Sequence, residues 1–525
     1  MLGSLTLAFE PRWEALRNTC LTESTEQEEV GMMGRSMRSI RRALALAVAA
    51  LLALAGLAAA QEPELVDPDL AVSTVVSGLS QPIAIAFIGP DDMLVLEKAS
   101  GQVKRVVDGE VRGVVLDLAV NSASERGLLG IALHPRFRRN GWVYLFWSES
   151  KTGADSDSLD GVRLLGNRVD RFEWDGEALE FDRNIINFRS FQADAGQPLR
   201  GNHNGGVLRF GPDGKLYAIV GDTGRRGQLQ NLVDGPFGPG IPDDQFGGPE
   251  PDDAHRTGVI VRLNRDGSAP RDNPFYRFGR SLGGEVGANV QRLFAYGVRN
   301  SFGLAFDPRS GQLWEQENGD DSFSELNRVE AGMNSGWVQI MGPAERVAQF
   351  KAIETDPTAP QPFAPAGYFG LQQIRWLPTN IADTPEQALS RLFMLPGAHF
   401  SDPELSWKFE VAPGGIGFLA SKALGRDYAG DLFMGGARDF LEGGHLFRIE
   451  LTGNRREVDV EDPRLEDGVA DNINKWEITE SESLLFGRNF GVGTDVQTGP
   501  DGHLYVVSLS HGAVYRIHRR DEGRG

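Results

Sequence analysis

One pattern of apolar and polar positions recurs along most of the chain: an apolar strand, a short turn rich in Gly, Asp, Asn or Pro, and a second strand. Six copies are visible: IAFIGPDDMLVLE (85–97), LHPRFRRNGWVYLFW (133–147), LRFGPDGKLYAIVGD (208–222), LAFDPRSGQLWEQEN (304–318), KALGRDYAGDLFMGG (422–436) and VQTGPDGHLYVVSLS (496–510). The turn residues tolerate the backbone angles a hairpin requires, and the flanking runs alternate or stay apolar as buried strands do. Several copies continue into an outgoing strand: GQVKRVV, GVIVRLN, HLFRIEL and GAVYRIH.

The copies occupy about 430 residues, roughly 70 each against the ~40–50 of a compact propeller blade, so the surplus is expected as inserted loops. Such loops are visible at 149–165, 223–257 and 341–403, the last holding the one clear helix pattern, Thr384–Phe393. The expected fold is all-β: a six-bladed β-propeller over residues 71–520 with long inserted loops. Val72–Val76 is placed to close the ring by pairing with the last blade. A β-sandwich with extra domains fits less well, because six similar hairpins are spread over the whole chain.

Composition adds modestly to this picture. Hydrophobic residues make up 40% of the chain, enough for a sizeable core, and its 65 glycines without a fixed period suit many tight turns. The net charge of −20 argues against nucleic acid and anionic membrane as partners, since both need basic surface. Near the N-terminus, Arg35, Arg38, Arg41 and Arg42 precede an apolar run from Ala43 to Leu57 and then Ala58-Ala59-Ala60. That order describes a secretory signal cleaved after Ala60, and ~18 apolar residues are short for a stable membrane span. Residues 1–31 are accordingly read as an upstream mis-start or disordered segment, 32–60 as signal peptide and 61–70 as linker, with a periplasmic or secreted product. The single cysteine, Cys20, lies in the first of these segments, so disulfides and thiolate metal sites are not expected in the exported part.

Candidate chemistry concentrates where polar groups stand directly before or after apolar strands. His203, within Asn202-His203-Asn204, precedes a strand; on its own it reads equally well as a capped turn histidine. Glu125 and Arg126 precede GLLGIALHP, and Arg299-Asn300 precede SFGLAF in the same relation. WEQENGDDSFSELN packs Glu315, Glu317, Asn318, Asp320, Asp321 and Glu325 together. That cluster is either a solvated loop or a set of hard oxygens suited to Ca²⁺, and transition metals are poorly served by it. Arg299 is either an ion-pair partner or a bidentate holder of an anionic ligand.

Taken in order, GLLGIALHPRF (127–137), GNHNGGVLRFGPDGKLYAIVGD (201–222), GVIVRLNRDGSAPRDNPF (258–275), YGVRNSFGLAFDP (296–308), ELNRVEAGMNSGW (325–337) and APGGIGF (412–418) resemble the soluble PQQ-dependent glucose/sorbosone dehydrogenase family, particularly its aldose sugar dehydrogenases. The resemblance implies a propeller binding pyrroloquinoline quinone (PQQ) and Ca²⁺ in its central cleft. It implies a sugar substrate and a separate electron acceptor, whose identity the sequence does not specify. By position, it implies His203 as the base that takes the C1 hydroxyl proton and Arg299 as the group stabilising charge on the quinone. It likewise implies Glu125, Asn202, Asn300 and Asn318 at the cofactor, the carbonyls of Gly319 and Asp320 on its Ca²⁺, and Glu325 at a separate calcium site. The calcium loop departs from the family pattern, with Asn318-Gly319-Asp320 where Gln or His is usually followed by Gly-Pro. Lys422 and Arg438 are the candidates for holding the cofactor carboxylates. Two other functions stay open: a cofactor-less propeller binding carbohydrate or protein, and a Ca²⁺-dependent propeller lactonase.

Overall fold

A computed structural model describes residues 61–191, 201–224, 256–355, 378–379, 381–437 and 443–520; the expected signal segment and Arg438 lie outside them. The described residues form an all-β propeller of six sheets. Each sheet starts with an inner strand: Pro82–Gly89, Leu128–Leu133, Leu208–Phe210, Gly303–Phe306, Pro413–Phe418 and Gly493–Thr498. Each inner strand pairs antiparallel with the next strand in sequence, and five of the six expected hairpins are present where their patterns lie. In the fifth copy the hairpin starts earlier than its sequence pattern: Pro413–Phe418 is the inner strand, and 422–431 forms the connection to Leu432–Gly436. The glycine-rich run APGGIGF hides this strand from a search for apolar residues.

Turn chemistry explains the recurring Pro-Asp-Gly. The carboxylate of Asp213 accepts the Lys215 N–H at 3.0 Å, and that of Asp501 accepts the His503 N–H at 3.1 Å. Gly214 and Gly502 take the left-handed backbone these turns need. A second repeat lies outside the turns. In all six sheets an arginine on the third strand stands opposite a large residue on the second: Arg105 opposite Leu94, Arg171 opposite Tyr144, Arg262 opposite Tyr217, Arg328 opposite Trp314, Arg448 opposite Phe433 and Arg516 opposite Tyr505. Each pairs with a nearby acid, respectively Asp92, Asp182, Asp213, Glu330, Asp431 and Asp501. Four of these arginines are those of the outgoing strands noted in the sequence.

Apolar clusters fill the gaps between neighbouring sheets. The cluster containing Ile85, Val95, Val507 and Val514 joins the last sheet to the first and closes the ring. Leu70–Val76 pairs antiparallel with Ala513–Arg519, so the two ends of the described chain share the final sheet, as expected for Val72–Val76. The lead before it is more than a linker, because Glu64–Leu65 pairs with Leu485–Arg488 and Asp67 accepts the Tyr428 hydroxyl at 2.5 Å. The helix expected at 384–393 runs over Pro385–Arg391, with the Thr384 hydroxyl capping Gln387 N–H. Another helix, Val347–Thr355, packs with it in a satellite core around Phe323, Trp337 and Phe350. Its few buried positions leave too short an apolar pattern to read.

Inner strands approach at backbone distance, which gives the glycines a second use besides turns. A Cβ at Gly417 would lie 1.9 Å from the Val496 carbonyl oxygen, and one at Gly130 would lie 2.0 Å from that of Gly206. Gly417→Ala is therefore expected to lower stability by about 1–3 kcal/mol or more through overpacking. Denaturant unfolding of the variant beside wild type measures it.

Candidate active site

Inner strands begin, and second strands finish, at the same end of the ring; the hairpin turns lie at the other. A cavity of about 450 Å³ opens at the strand-start end, reached by Ile83, Gly130, Val207, Phe302, Gly414 and Thr494 from the six inner strands or their approaches. Of the polar groups singled out in the sequence, His203 and Arg299 do not themselves line this cavity but bond to residues that do, His203 to Glu125 and Arg299 to Asn318. Glu125 and Asn318 line the cavity. Lys422 does not: it is exposed on a connection whose neighbour Ser421 bonds to Gly502, in a hairpin turn.

His203 is buried, and its backbone is left-handed, with φ of 57°. Such a conformation costs a non-glycine residue about 1 kcal/mol or more and persists only where surroundings fix it. The fixing groups are two carboxylates. Glu125 Oε2 accepts the His203 N–H at 2.5 Å, and Asp222 Oδ1 faces His203 Nδ1 at 2.5 Å. Asp222 also accepts the Trp337 indole N–H and the Gly224 N–H, both at 2.8 Å, so it acts as an acceptor throughout. Nδ1 is then the donor in this contact, which leaves Nε2 as the ring nitrogen not engaged by Asp222. Asp222 and Trp337 were not among the residues selected from sequence. The former could have been found as a carboxylate ending a fully apolar strand, but nothing local marks the latter.

Arg299 and Asn300 reach the same place from the neighbouring sheet. The Arg299 carbonyl accepts the Asp222 N–H at 2.8 Å, tying the two segments together. The Arg299 guanidinium donates to the Asn318 carbonyl at 2.7 Å and to Asp320 Oδ1 at 2.8 Å, and lies 5.2 Å from the Trp337 ring centroid. Burial works against its charge, but Asp320, Asp222, Glu410 and Glu354 outweigh this and hold its pKa above the ordinary value. Among the described residues, Arg299 Nε, a donor, and Asn300 Oδ1, an acceptor, are buried without a hydrogen-bond partner. Asn318 spends its amide on the Pro413 carbonyl at 3.0 Å. Asn202 is half-buried beside His203, whereas Asn204 is structural, bonded to Asn167 and to the Gly201 carbonyl.

The expected metal ligands differ from expectation. The Asp320 carbonyl accepts a hydrogen bond from the Lys475 ammonium at 2.8 Å, and the Asp320 carboxylate is held by Arg299. Gly319 sits in a fold so tight that a Cβ would lie 2.1 Å from the Ser322 carbonyl oxygen. Ca²⁺ takes six to eight oxygens, and in this loop the carbonyls of Asn318 and Asp320 and the carboxylates of Asp320 and Asp321 already serve protein cations. Calcium therefore does not fit here. Glu325 stands apart, in a buried group with Glu315 and Glu317. Its carboxylate accepts the Gly342 N–H at 2.5 Å and the Asn327 amide at 3.0 Å, the same amide that reaches Glu315 at 2.8 Å. Among the described residues, no His, Asp or Glu side chains are grouped to hold a metal ion.

PQQ fits better. The unpartnered Arg299 Nε and Asn300 Oδ1 offer a donor and an acceptor beside an oriented histidine. Lys98 and Arg209 line the cavity as cations for carboxylates, although Arg209 also pairs with Asp495 at 2.8 Å.

These features define a class: a β-propeller with an axial cavity whose lining residues Glu125 and Asn318 bond a carboxylate-oriented histidine and an ion-paired arginine. Residues 79–369 match the family described as Glucose / Sorbosone dehydrogenase, and the chain belongs to that family. It is 30% identical over 279 residues to Quinoprotein glucose dehydrogenase B of Acinetobacter calcoaceticus, covering 51% of this chain and 52% of that protein. It is 23% identical over 455 residues to Aldose sugar dehydrogenase YliI of Escherichia coli K12, covering 86% and 93%. The structure of the PQQ-bound form of Aldose Sugar Dehydrogenase from Streptomyces coelicolor shares the fold, with a TM-score of 0.50 at 22% identity over 87% of this chain and 99% of that one.

The buried carboxylates have a consequence for stability. Burial above all pushes Glu315 up to about 8 and Glu325 up to about 7, from an ordinary 4.5. The folded state then holds protons that the unfolded chain releases near pH 4.5, so these groups favour folding at low pH and lose that contribution as pH rises towards about 8. Melting temperature should fall across this window, and Glu315→Gln should flatten the fall. Thermal denaturation of both proteins at a series of pH values checks this.

Proposed function

We propose that the protein is an exported PQQ-dependent dehydrogenase that oxidises the anomeric carbon of aldose sugars, on a propeller of six blades with one blade per sheet. The observation that carries this reading is that His203, oriented by Asp222, and Arg299, with its unpartnered Nε, are bonded to Glu125 and Asn318, which line one axial cavity. Family membership and the names of the relatives support the reaction class. Export rests on the basic, apolar and small-residue order of Arg35 to Ala60. Among the described residues, no helix is long and apolar enough to cross a membrane.

In the proposed reaction, His203 Nε2 takes the proton of the sugar C1 hydroxyl. Asp222 holds the ring in that tautomer and stabilises the imidazolium that forms. Bound PQQ would supply the two-electron acceptor for the hydride leaving C1, giving the lactone. Arg299, fixed by Asn318 and Asp320, would present its Nε–H to the oxygen on which negative charge grows, and a donor fixed in advance needs no reorganisation when the charge appears. Trp337 holds Asp222 from the far side and stacks near Arg299, so it couples the two groups. Lys98, Arg209 and Arg438 are the residues that would meet the cofactor carboxylates.

A second reading, a binding propeller without cofactor, is favoured by one observation: both described cavity cations already have internal partners, Arg209 on Asp495 and Lys98 on the Ser122 and Ser124 carbonyls. Reconstitution separates the two. Purified protein should bind PQQ at micromolar concentration and reduce an artificial electron acceptor with at least one aldose. His203→Ala should lower kcat by about 10²–10⁴-fold while PQQ still binds. Absence of PQQ binding would sink the enzyme reading, and binding without oxidation of any aldose would reject the substrate class.

A further inference from the structure

The cation that the resemblance expects beside the Asn318–Asp321 loop is present in another form. Lys475 Nζ lies 2.8 Å from the Asp320 carbonyl oxygen and 2.6 Å from Asp321 Oδ1, with its side chain only 5% exposed. A lysine so deeply buried is uncommon, because desolvating an ammonium is costly unless it is paired and hydrogen-bonded. Here it has both kinds of partner.

The lysine is held in place from its own side. Asn472 Nδ2 bonds the carbonyls of Phe409, Asn474 and Glu477, its Oδ1 accepts the Phe409 N–H, and the Trp476 N–H reaches the Glu410 carbonyl at 2.7 Å. The acidic loop is fixed independently. Glu354 Oε1 accepts the N–H groups of Asp321 and Ser322 and the Ser322 hydroxyl, at 2.8–3.0 Å. Arg299 closes the remaining side through the Asn318 carbonyl and the Asp320 carboxylate. Two protein cations therefore face Asp320 and Asp321, and Glu410 stands near both. A divalent ion at the Asp320 carbonyl would sit against an ammonium that already uses that oxygen, and like charges at such separation repel strongly in a buried site.

We infer that Lys475 is a built-in cation standing at the expected calcium position, so that this loop binds no calcium and the site works without a divalent ion. The ammonium cannot dissociate or be chelated. Its functional consequence rests on the proposed reaction, whereas its effect on metal binding does not.

Calcium titration calorimetry on chelator-treated protein, without PQQ or sugar, tests the inference. Asp321→Asn should leave the calcium stoichiometry of the wild type unchanged. Lys475→Met, which removes the charge and keeps the length, should gain one calcium site, and adding Asp321→Asn should abolish that gain. Loss of a calcium site on Asp321→Asn alone would overturn the inference, as would a cooperatively melting Lys475→Met that gains none. If Lys475→Met does not fold, the wild type against Asp321→Asn decides: equal stoichiometry supports the inference and a lost site rejects it. In the reconstituted protein, a chelator should leave PQQ affinity unchanged, and a loss of ten-fold or more would also overturn it. Complete failure of PQQ to bind in every buffer would count against the proposed function alone.

Discussion

The close approach of the inner strands is the constraint on which the rest of the structure depends. Six sheets can share one axis only if their first strands meet almost backbone to backbone, as Gly130 meets Gly206 and Gly417 meets Val496. Side chains are excluded from these contacts, so the polar groups of the axis are displaced to the ends of the strands. One end is taken by hairpin turns. The other, where inner strands begin, has room for the cavity and for residues from several sheets. The site lies where backbone packing leaves space.

Charge at that end is arranged as a chain. Glu125 holds the backbone of His203, Asp222 holds its ring, Trp337 holds Asp222, and Arg299 binds both the Asp222 backbone and the acidic loop. Lys475 and Glu354 fix that loop from two further directions. Buried ion pairs of this kind contribute little net stability, because desolvation offsets attraction, but losing one partner is costly. The arrangement trades stability for position, holding a histidine and an arginine in fixed register.

Much of this was legible in the sequence because it is local. Each hairpin announces itself by its turn, and the turn aspartates and glycines act within a few residues of one another. The position of His203 before a strand was legible for the same reason. Its partners were not, because Asp222 is 19 residues away and Trp337 a further 115 from Asp222. Lys475 lies 155 residues from the carbonyl it meets, in a stretch with no pattern. The third-strand arginines show a middle case: four stand in the outgoing strands noted in the sequence, but only strand register reveals that all six occupy one position. The inner strand of the fifth sheet was misplaced because its glycines, essential to packing, carry no apolar signal.

Ring closure through Leu70–Val76 has a temporal consequence. The strand made near the start of the described chain is paired with the one made last, Ala513–Arg519. Until that last strand arrives, the first sheet lacks its neighbour and the final sheet lacks its outer strand, so open edges and the apolar surface of Ile85, Val95 and Val106 stay exposed. Such a long-range pairing closes a loop of nearly the whole chain and is slow to form. The propeller thus completes its fold only once its C-terminal strand is available, however much of the ring has already packed.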